Sequence, residues 1–273
     1  MTQSPIRVRA SSWGALFDCS YRWEGENLLG IRKPSGPPAI LGTAIHAGTA
    51  AFDKARLARA PISADEACGV LVDTLQHPRG EDEYDWRADE DLTQATAEQI
   101  GLTLLNRYCN EWSPRFEFLA VEMETKPLEI DCGNGIKVLL TGTLDRSRAV
   151  VHGPGGKSIW DLKTGSQAVQ SGMAKTKGYR AQLGTYELLD AHTTGIAADK
   201  PAGILGMKTK GKPEIATGTI HNARELLVGD GKTPGLIEHA AVMFRTGLFP
   251  PNPNSNLCGE RYCARWSVCP YHE

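Results

Sequence analysis

Asp161 and Lys163, in the run Ser-Ile-Trp-Asp-Leu-Lys-Thr-Gly-Ser over 158–166, stand two apart in what otherwise reads as a buried strand. Side chains two apart on a strand share a face, so Ile159, Asp161 and Lys163 point one way while Trp160 and Leu162 point the other. Charges in an apolar strand are costly unless something pairs with them. A second carboxylate comes from Gly142-Thr143-Leu144-Asp145, because a hairpin centred on Pro154 sets Asp145 opposite Lys163 on that same face. Carboxylates held together repel unless one takes a proton or a cation sits between them, and an oxygen-rich site of this kind suits magnesium or manganese. Taken alone, these residues also fit an ion pair on a solvated strand face.

Positioning them requires strands, and the apolar period supplies them. "FEFLAVEMETKPLEI", "IKVLLTGTLDRSRAVV" and "SIWDLKTG" are separated by the turn-forming "DCGNG" and "HGPGGK", which predicts a three-stranded antiparallel meander. Before it, the first third reads as helices. Ser11 or Ser12 caps "WGALFDCSYRW", "AILGTAIHAGTAAFDKARLAR" has helical spacing, Ser63 caps "SADEACGVLVDTL", and a longer helix runs from about Asp91 to Trp112. After it come a helix around "GYRAQLGTYELLDAH", a strand around "AGILGMKT" able to pair with "IATGTI", and a helix around "GLIEHAAVMFRTG". The tail from about 246 is too rich in Pro, Asn and Cys for a regular element. No repeat or long linker divides the chain, so the expectation is one α/β domain over 1–273. Within it, 1–115 is helical, 116–245 is the core and 246–273 is a tail that binds metal.

The composition is that of an ordinary globular protein: 273 residues, 41% hydrophobic, 23% charged, formal net charge −2. No apolar run approaches the ~20 residues of a bilayer span, and the first residues lack a secretory pattern, which points to a cytoplasmic protein with no membrane partner. Charge is unevenly spread. Residues 79–91 hold seven acids against two arginines, whereas 157–212 hold nine bases against four acids, a setting for an anionic partner or simply two solvated faces. Seven cysteines form an odd set, three of them crowded at the C-terminus. Cys258, Cys263 and Cys269, spaced C-x4-C-x5-C with His272 beyond, resemble on spacing alone a zinc site of three cysteines and a histidine. Cys68, Cys109 and Cys132 read as core or surface thiols.

In order along the chain stand Gly42 to His46 in "GTAIH", Asp145 in "GTLD", Asp161-Leu162-Lys163, and Gln182 to Tyr186 in "QLGTY". Together these resemble the motifs of the PD-(D/E)XK nucleases of RecB type, in particular their iron–sulfur branch of phage and CRISPR-associated exonucleases. The resemblance spans Cys19 to Cys269. It implies a restriction-endonuclease-like α/β fold with a mixed central sheet flanked by helices. It also implies that Asp145, Asp161, the Leu162 carbonyl and His46 hold one or two Mg2+ or Mn2+ ions, with Lys163 stabilising the anionic transition state. Gln182 and Tyr186, four apart on a helix, would orient Lys163 or the DNA backbone. Glu122 stands where such nucleases often carry a glutamate, with Glu124 as its rival.

The same resemblance implies a 4Fe-4S cluster on Cys19, Cys258, Cys263 and Cys269, the zinc site with His272 being the alternative. It implies action on single-stranded DNA ends in recombination or repair, with CRISPR-adaptation trimming as a second enzyme reading. A non-catalytic nucleic-acid-binding module with a zinc site is the third reading. Lys175, Lys177 and Arg180 would track phosphates, with Lys208, Lys210 and Lys212 behind them. A helicase or annealing protein and a homo-oligomer are the partners it brings into view.

Overall fold

The computed structural model describes residues 4–78, 84–89, 91–151 and 155–272. Its elements, in chain order, begin with strand β1 (Ile6–Arg9) and helices α1 (Trp13–Asp18), α2 (Ser20–Asn27), α3 (Pro37–Leu57), α4 (Ala64–Gln76) and α5 (Gln94–Arg107). Strands β2 (Glu117–Glu124), β3 (Leu128–Asp131), β4 (Lys137–Thr141), β5 (Thr143–Ala149), β6 (Lys157–Gly165), β7 (Val169–Gln170) and β8 (Met173–Ala174) follow. Helix α6 (Arg180–Thr194), strands β9 (Ala202–Lys208) and β10 (Glu214–Ile220), and helices α7 (Ala223–Val228) and α8 (Leu236–Thr246) complete the order.

The central sheet runs β10-β9-β6-β5-β2. It is mixed, because β6 and β9 are parallel across the α6 crossover while the other pairs are antiparallel. Both faces are covered. Leu162, Leu205, Met207 and Ile215 pack with Ile40, Leu41 and Leu71 of α3 and α4, and Ile159 and Ile204 pack with Leu183 and Tyr186 of α6. Ile159 and Leu162 thus leave β6 on opposite faces, as alternation requires.

The expected meander forms only in part. β2, β5 and β6 pair antiparallel, but each long run breaks in two: Leu128–Asp131 and Lys137–Thr141 peel away into a second sheet, β1-β4-β3. Gly142 sits at the break. A Cβ there would lie 2.9 Å from the Tyr186 ring, so only glycine lets the chain cross so near α6. The β5–β6 register also differs from the expectation, pairing Arg146 with Trp160 and Ser147 with Ile159. One step further sets Asp145 opposite Asp161, not Lys163. Pro154 itself lies outside the described residues.

Local capping follows the sequence unevenly. Ser63 and Glu66 form a reciprocal capping box on α4, but the Ser12 hydroxyl donates back to the Arg9 carbonyl and caps nothing. Cys19 is extended (φ −140°, ψ 94°) and breaks the first helical run into α1 and α2. The long helix to Trp112 ends as a π-helical turn over Tyr108–Trp112. Of the acidic run, Arg79, Glu81, Asp82, Glu83 and Glu90 lie outside the described residues, while Asp89 pairs with Arg261 of the tail at 2.8 Å.

Candidate functional site

Helix α3 carries His46, Thr49 and Asp53 at i, i+3 and i+7, one polar stripe on a helix that is otherwise largely apolar. One turn before His46, a Cβ on Gly42 would lie 2.7 Å from Thr164 Oγ1, so the missing side chain is what lets α3 close on β6. His46 Nδ1 then lies 3.5 Å from Asp145 Oδ2 and 4.0 Å from Glu122 Oε1. The ligand atoms of these three residues all lie within 4.8 Å of one another, the spacing one divalent ion needs. The His46 and Glu122 side chains are 31% and 25% exposed, which leaves an entry path from solvent.

The Leu162 backbone borders the same point. Its N–H donates to Asp145 Oδ2 at 2.9 Å, and its carbonyl accepts from the His46 ring. Burial lowers the His46 pKa, keeping the imidazole neutral and its lone pair free for a metal.

Asp161 is buried and lies just outside this trio. Its Oδ1 accepts from Gln182 Nε2 at 3.0 Å, and its Oδ2 is 2.6 Å from Lys163 Nζ. Gln182 Nε2 also donates to the Tyr186 hydroxyl at 3.3 Å. Gln182 therefore bonds Asp161, where the sequence leads one to expect it on Lys163 or the DNA backbone. Burial, then the Asp145 charge, push the Asp161 carboxyl far above the usual carboxylate range. Burial acts against the Lys163 charge, but Asp161 and Asp145 outweigh it and keep the ammonium protonated. The Lys163 ammonium also lies 5.0 Å from the centre of the Tyr179 ring.

Glu122 and Glu124 do not share a face. Glu122 has φ 46°, the left-handed region that non-glycine residues seldom enter, and this breaks the strand's alternation. Glu122 turns toward His46 while Glu124 lines a separate cleft with Arg9 and Tyr186. Burial and the Asp145 charge push the Glu122 carboxyl up to about 7, against the pull of Arg146.

Arg146, next to Asp145, was not singled out from the sequence and holds the site together from behind. Its Nε donates to Asp53 Oδ2 at 2.7 Å, Nη1 to Glu122 Oε1 at 3.2 Å and to the Asp145 carbonyl at 2.8 Å, and Nη2 to Thr49 Oγ1 at 3.2 Å. Asp53, fully buried, accepts in addition from Tyr108 and Ser113. The signal was present in the His46-Thr49-Asp53 stripe. Removing one member of such a buried pair leaves a charge without its partner, so Arg146→Met should cost about 3–5 kcal/mol in urea unfolding. A loss under about 1 kcal/mol would show the network to be slack.

These strands, the Asp-x-Lys pair and the histidine helix match a known pattern. The model of the PD-(D/E)XK nuclease superfamily matches residues 10–270. The chain belongs to this superfamily. Among solved structures, it is similar to a protein of Eubacterium rectale provisionally named an exonuclease, at 12% identity and TM-score 0.50, over 93% of this chain and 87% of that one. SSO0001 aligns over 99% and 88% at 13% identity, with a TM-score of 0.42. The first likeness shows a shared fold, here the restriction-endonuclease-like mixed sheet flanked by helices. Curated protein sequences give no significant match.

Nucleases of this superfamily use divalent metals, and His46, Glu122 and Asp145 are able to hold one. Away from that centre, the nuclease's seven cysteines are free thiols. Cys19, Cys258, Cys263 and Cys269 line a single pocket, and the Cys258 thiol is pushed up by burial and by the other three sulfurs. His272 stacks on Trp266 and is not among the pocket's lining residues. The tail is clamped to α2 by Arg265, which bonds Glu24 at 2.8 Å and lies 3.4 Å from the centre of the Tyr21 ring.

Of the proposed phosphate contacts, Lys177 is exposed and Lys175 half-buried just before α6, but Arg180 spends its guanidinium on the Asn222 carbonyl, at 2.8 and 3.1 Å. Lys208 ends β9, Lys210 stands 3.9 Å from Asp91, and Lys212 is in the turn before β10. Among the described residues no helix is long and apolar enough to cross a membrane.

Proposed function

We propose that the chain is a metal-dependent deoxyribonuclease that digests DNA from single-stranded ends. The observation that carries this reading is the convergence of His46, Glu122 and Asp145 within 4.8 Å, beside the Asp161–Lys163 pair. These three side chains, with the Leu162 carbonyl, would hold Mg2+ or Mn2+, and an imidazole among the ligands favours manganese. When bound, such an ion makes water nucleophilic at neutral pH and offsets charge on the phosphate oxygens. Water adds to phosphorus, one P–O ester bond breaks, and the departing oxygen takes a proton.

The chain's own residues do the rest. Lys163, kept cationic by Asp161 and Asp145, supplies positive charge where the phosphoryl oxygens gain negative charge. Gln182 fixes Asp161, and Tyr186, whose phenol is held neutral by burial, backs Gln182. Lys175 and Lys177 lie near enough in sequence to α6 to meet the strand's phosphates. The preference for ends rests on the E. rectale protein's name and on the family resemblance.

For the cysteine pocket, the four cysteines around one cavity, with His272 not among its lining residues, support the 4Fe-4S reading over a zinc site that uses His272. Work in phage or mobile-element recombination or repair, alongside a helicase or annealing protein, is the setting we favour over CRISPR-adaptation trimming.

Digestion of end-labelled single- and double-stranded DNA with Mn2+, Mg2+ or EDTA tests the reading. We expect loss of full-length strand with metal, none with EDTA, and at least about tenfold weaker Mn2+ activation for His46→Ala. Activity that survives EDTA, or a His46→Ala enzyme with unchanged metal dependence, would contradict it.

A further inference from the structure

Two clefts share a wall formed by Arg9 and Ser11. One, of about 410 Å3, runs past Arg7, Arg9, Ser11 and Tyr186, the residue that backs Gln182. The other, of about 530 Å3, continues from Arg9 and Ser11 to Lys33, in the segment between α2 and α3, and to Arg261 and Tyr262 of the tail. A second approach to the centre exists along α3. Ala39 and Thr43 are exposed on the face that carries His46 (i, i+4, i+7), so the cleft lies about 10 Å from His46 at 1.5 Å per residue.

The lining is strongly basic. Arg9, Arg32, Lys33 and Arg261 line it with one acid, Glu26, which is itself 3.9 Å from Arg22, while Arg261 pairs with Asp89 at 2.8 Å. Among the described residues, the side chains of Arg9 and Lys33 take part in no hydrogen bond or ion pair, and both are exposed. Tyr262 is 48% exposed within this basic wall, with the Arg261 guanidinium 5.6 Å from its ring. Cations spaced along a groove with an exposed aromatic ring between them are what a single strand requires, phosphates on the cations and a base on the ring. A duplex would need no ring.

We propose that this cleft carries one nucleic-acid strand to or from the metal centre, with Arg9 and Lys33 on its phosphates and Tyr262 stacked on a base. The proposal deepens the nuclease reading and rests on it. It makes the loop between Cys258 and Cys263 part of the substrate path.

Fluorescence anisotropy with a labelled 20-nucleotide single strand, in Ca2+ to hold back cleavage, tests it. A single-strand salt slope of about −0.7 per phosphate contact corresponds to about 5-fold in affinity per contact near 0.1 M salt. The double variant Arg9→Ala/Lys33→Ala should bind about 25-fold more weakly, with a log–log salt slope shallower by about 1.4. Lys33→Glu should be weaker than Lys33→Ala, and Tyr262→Ala should lose about 5-fold or more with its salt slope unchanged. Lys232→Ala, outside the cleft, should bind as wild type. Equal affinity and slope for wild type and the double variant would overturn the proposal. Hydrolysis of thymidine 5′-p-nitrophenyl phosphate by the wild-type chain with Mn2+ is scored separately, so a failed groove and a failed nuclease reading give different results.

Discussion

Lys163→Ala is expected to lower the rate of the proposed DNA hydrolysis by about 10²–10³-fold, and Asp161→Asn by a similar factor, with both proteins still folded. The reasoning begins with burial. Asp161 is 1% exposed and, among the described residues, its oxygens meet Gln182 and Lys163. A carboxylate so enclosed is sustained by the adjacent ammonium. Removing a single preorganised charge from a water-poor site costs about 3–4 kcal/mol of transition-state stabilisation, which is 10²–10³ in rate. Asn in place of Asp161 keeps the shape and the Gln182 bond while removing the charge, so a lost rate cannot be assigned to misfolding. Single-turnover digestion at saturating Mn2+ is the measurement. A rate within threefold of wild type for either variant would mean that the pair is an ion pair of the fold and no more.

The second large effect concerns the two ends of the chain. A cofactor held by Cys19 and Cys258 closes a loop of roughly 240 residues. By chain-entropy reasoning such a closure contributes on the order of 5 kcal/mol, or roughly 10–20 °C in melting temperature at this size. Cys19→Ser should therefore lose the cofactor and melt far earlier, whereas Cys132→Ser, at the edge of the small sheet, should do neither. Colour separates the two chemistries: protein purified without air is brown if the four thiolates carry 4Fe-4S and colourless if they hold zinc. Equal melting temperatures for wild type and Cys19→Ser would show that the pocket holds nothing that ties the ends.

The sequence marked the residues that gather at the candidate site better than the geometry that gathers them. Gly42-x3-His46, Asp145, Asp161-x-Lys163 and Gln182-x3-Tyr186 could be read because each obeys a helical or strand period that a lone chain already displays. The β5–β6 register could not, since one residue of difference in a Gly-rich turn moves Asp145 from Lys163 to Asp161. The splitting of the meander was equally hidden. Lys137–Thr141 and Thr143–Ala149 look like one long strand, and only the approach of Tyr186 to Gly142 shows why they part.

Arg146 and Asp53 escaped for a different reason. Each is a charged residue in an amphipathic element, where the ordinary place for charge is solvent. Their burial follows from α3 crossing behind β5, a tertiary fact. Glu122 shows the reverse case: its position could be guessed, but strand alternation put it on the same face as Glu124, and a left-handed backbone at Glu122 overrides that alternation. The basic cleft between Arg9, Lys33 and Arg261 joins segments more than 220 residues apart and so had no local signature.

The most direct test is anomalous scattering from a crystal of the protein soaked in Mn2+. A peak bounded by His46, Glu122 and Asp145, and absent from Asp145→Asn, is the predicted result. Manganese bound elsewhere, with those three side chains bare, would contradict the account.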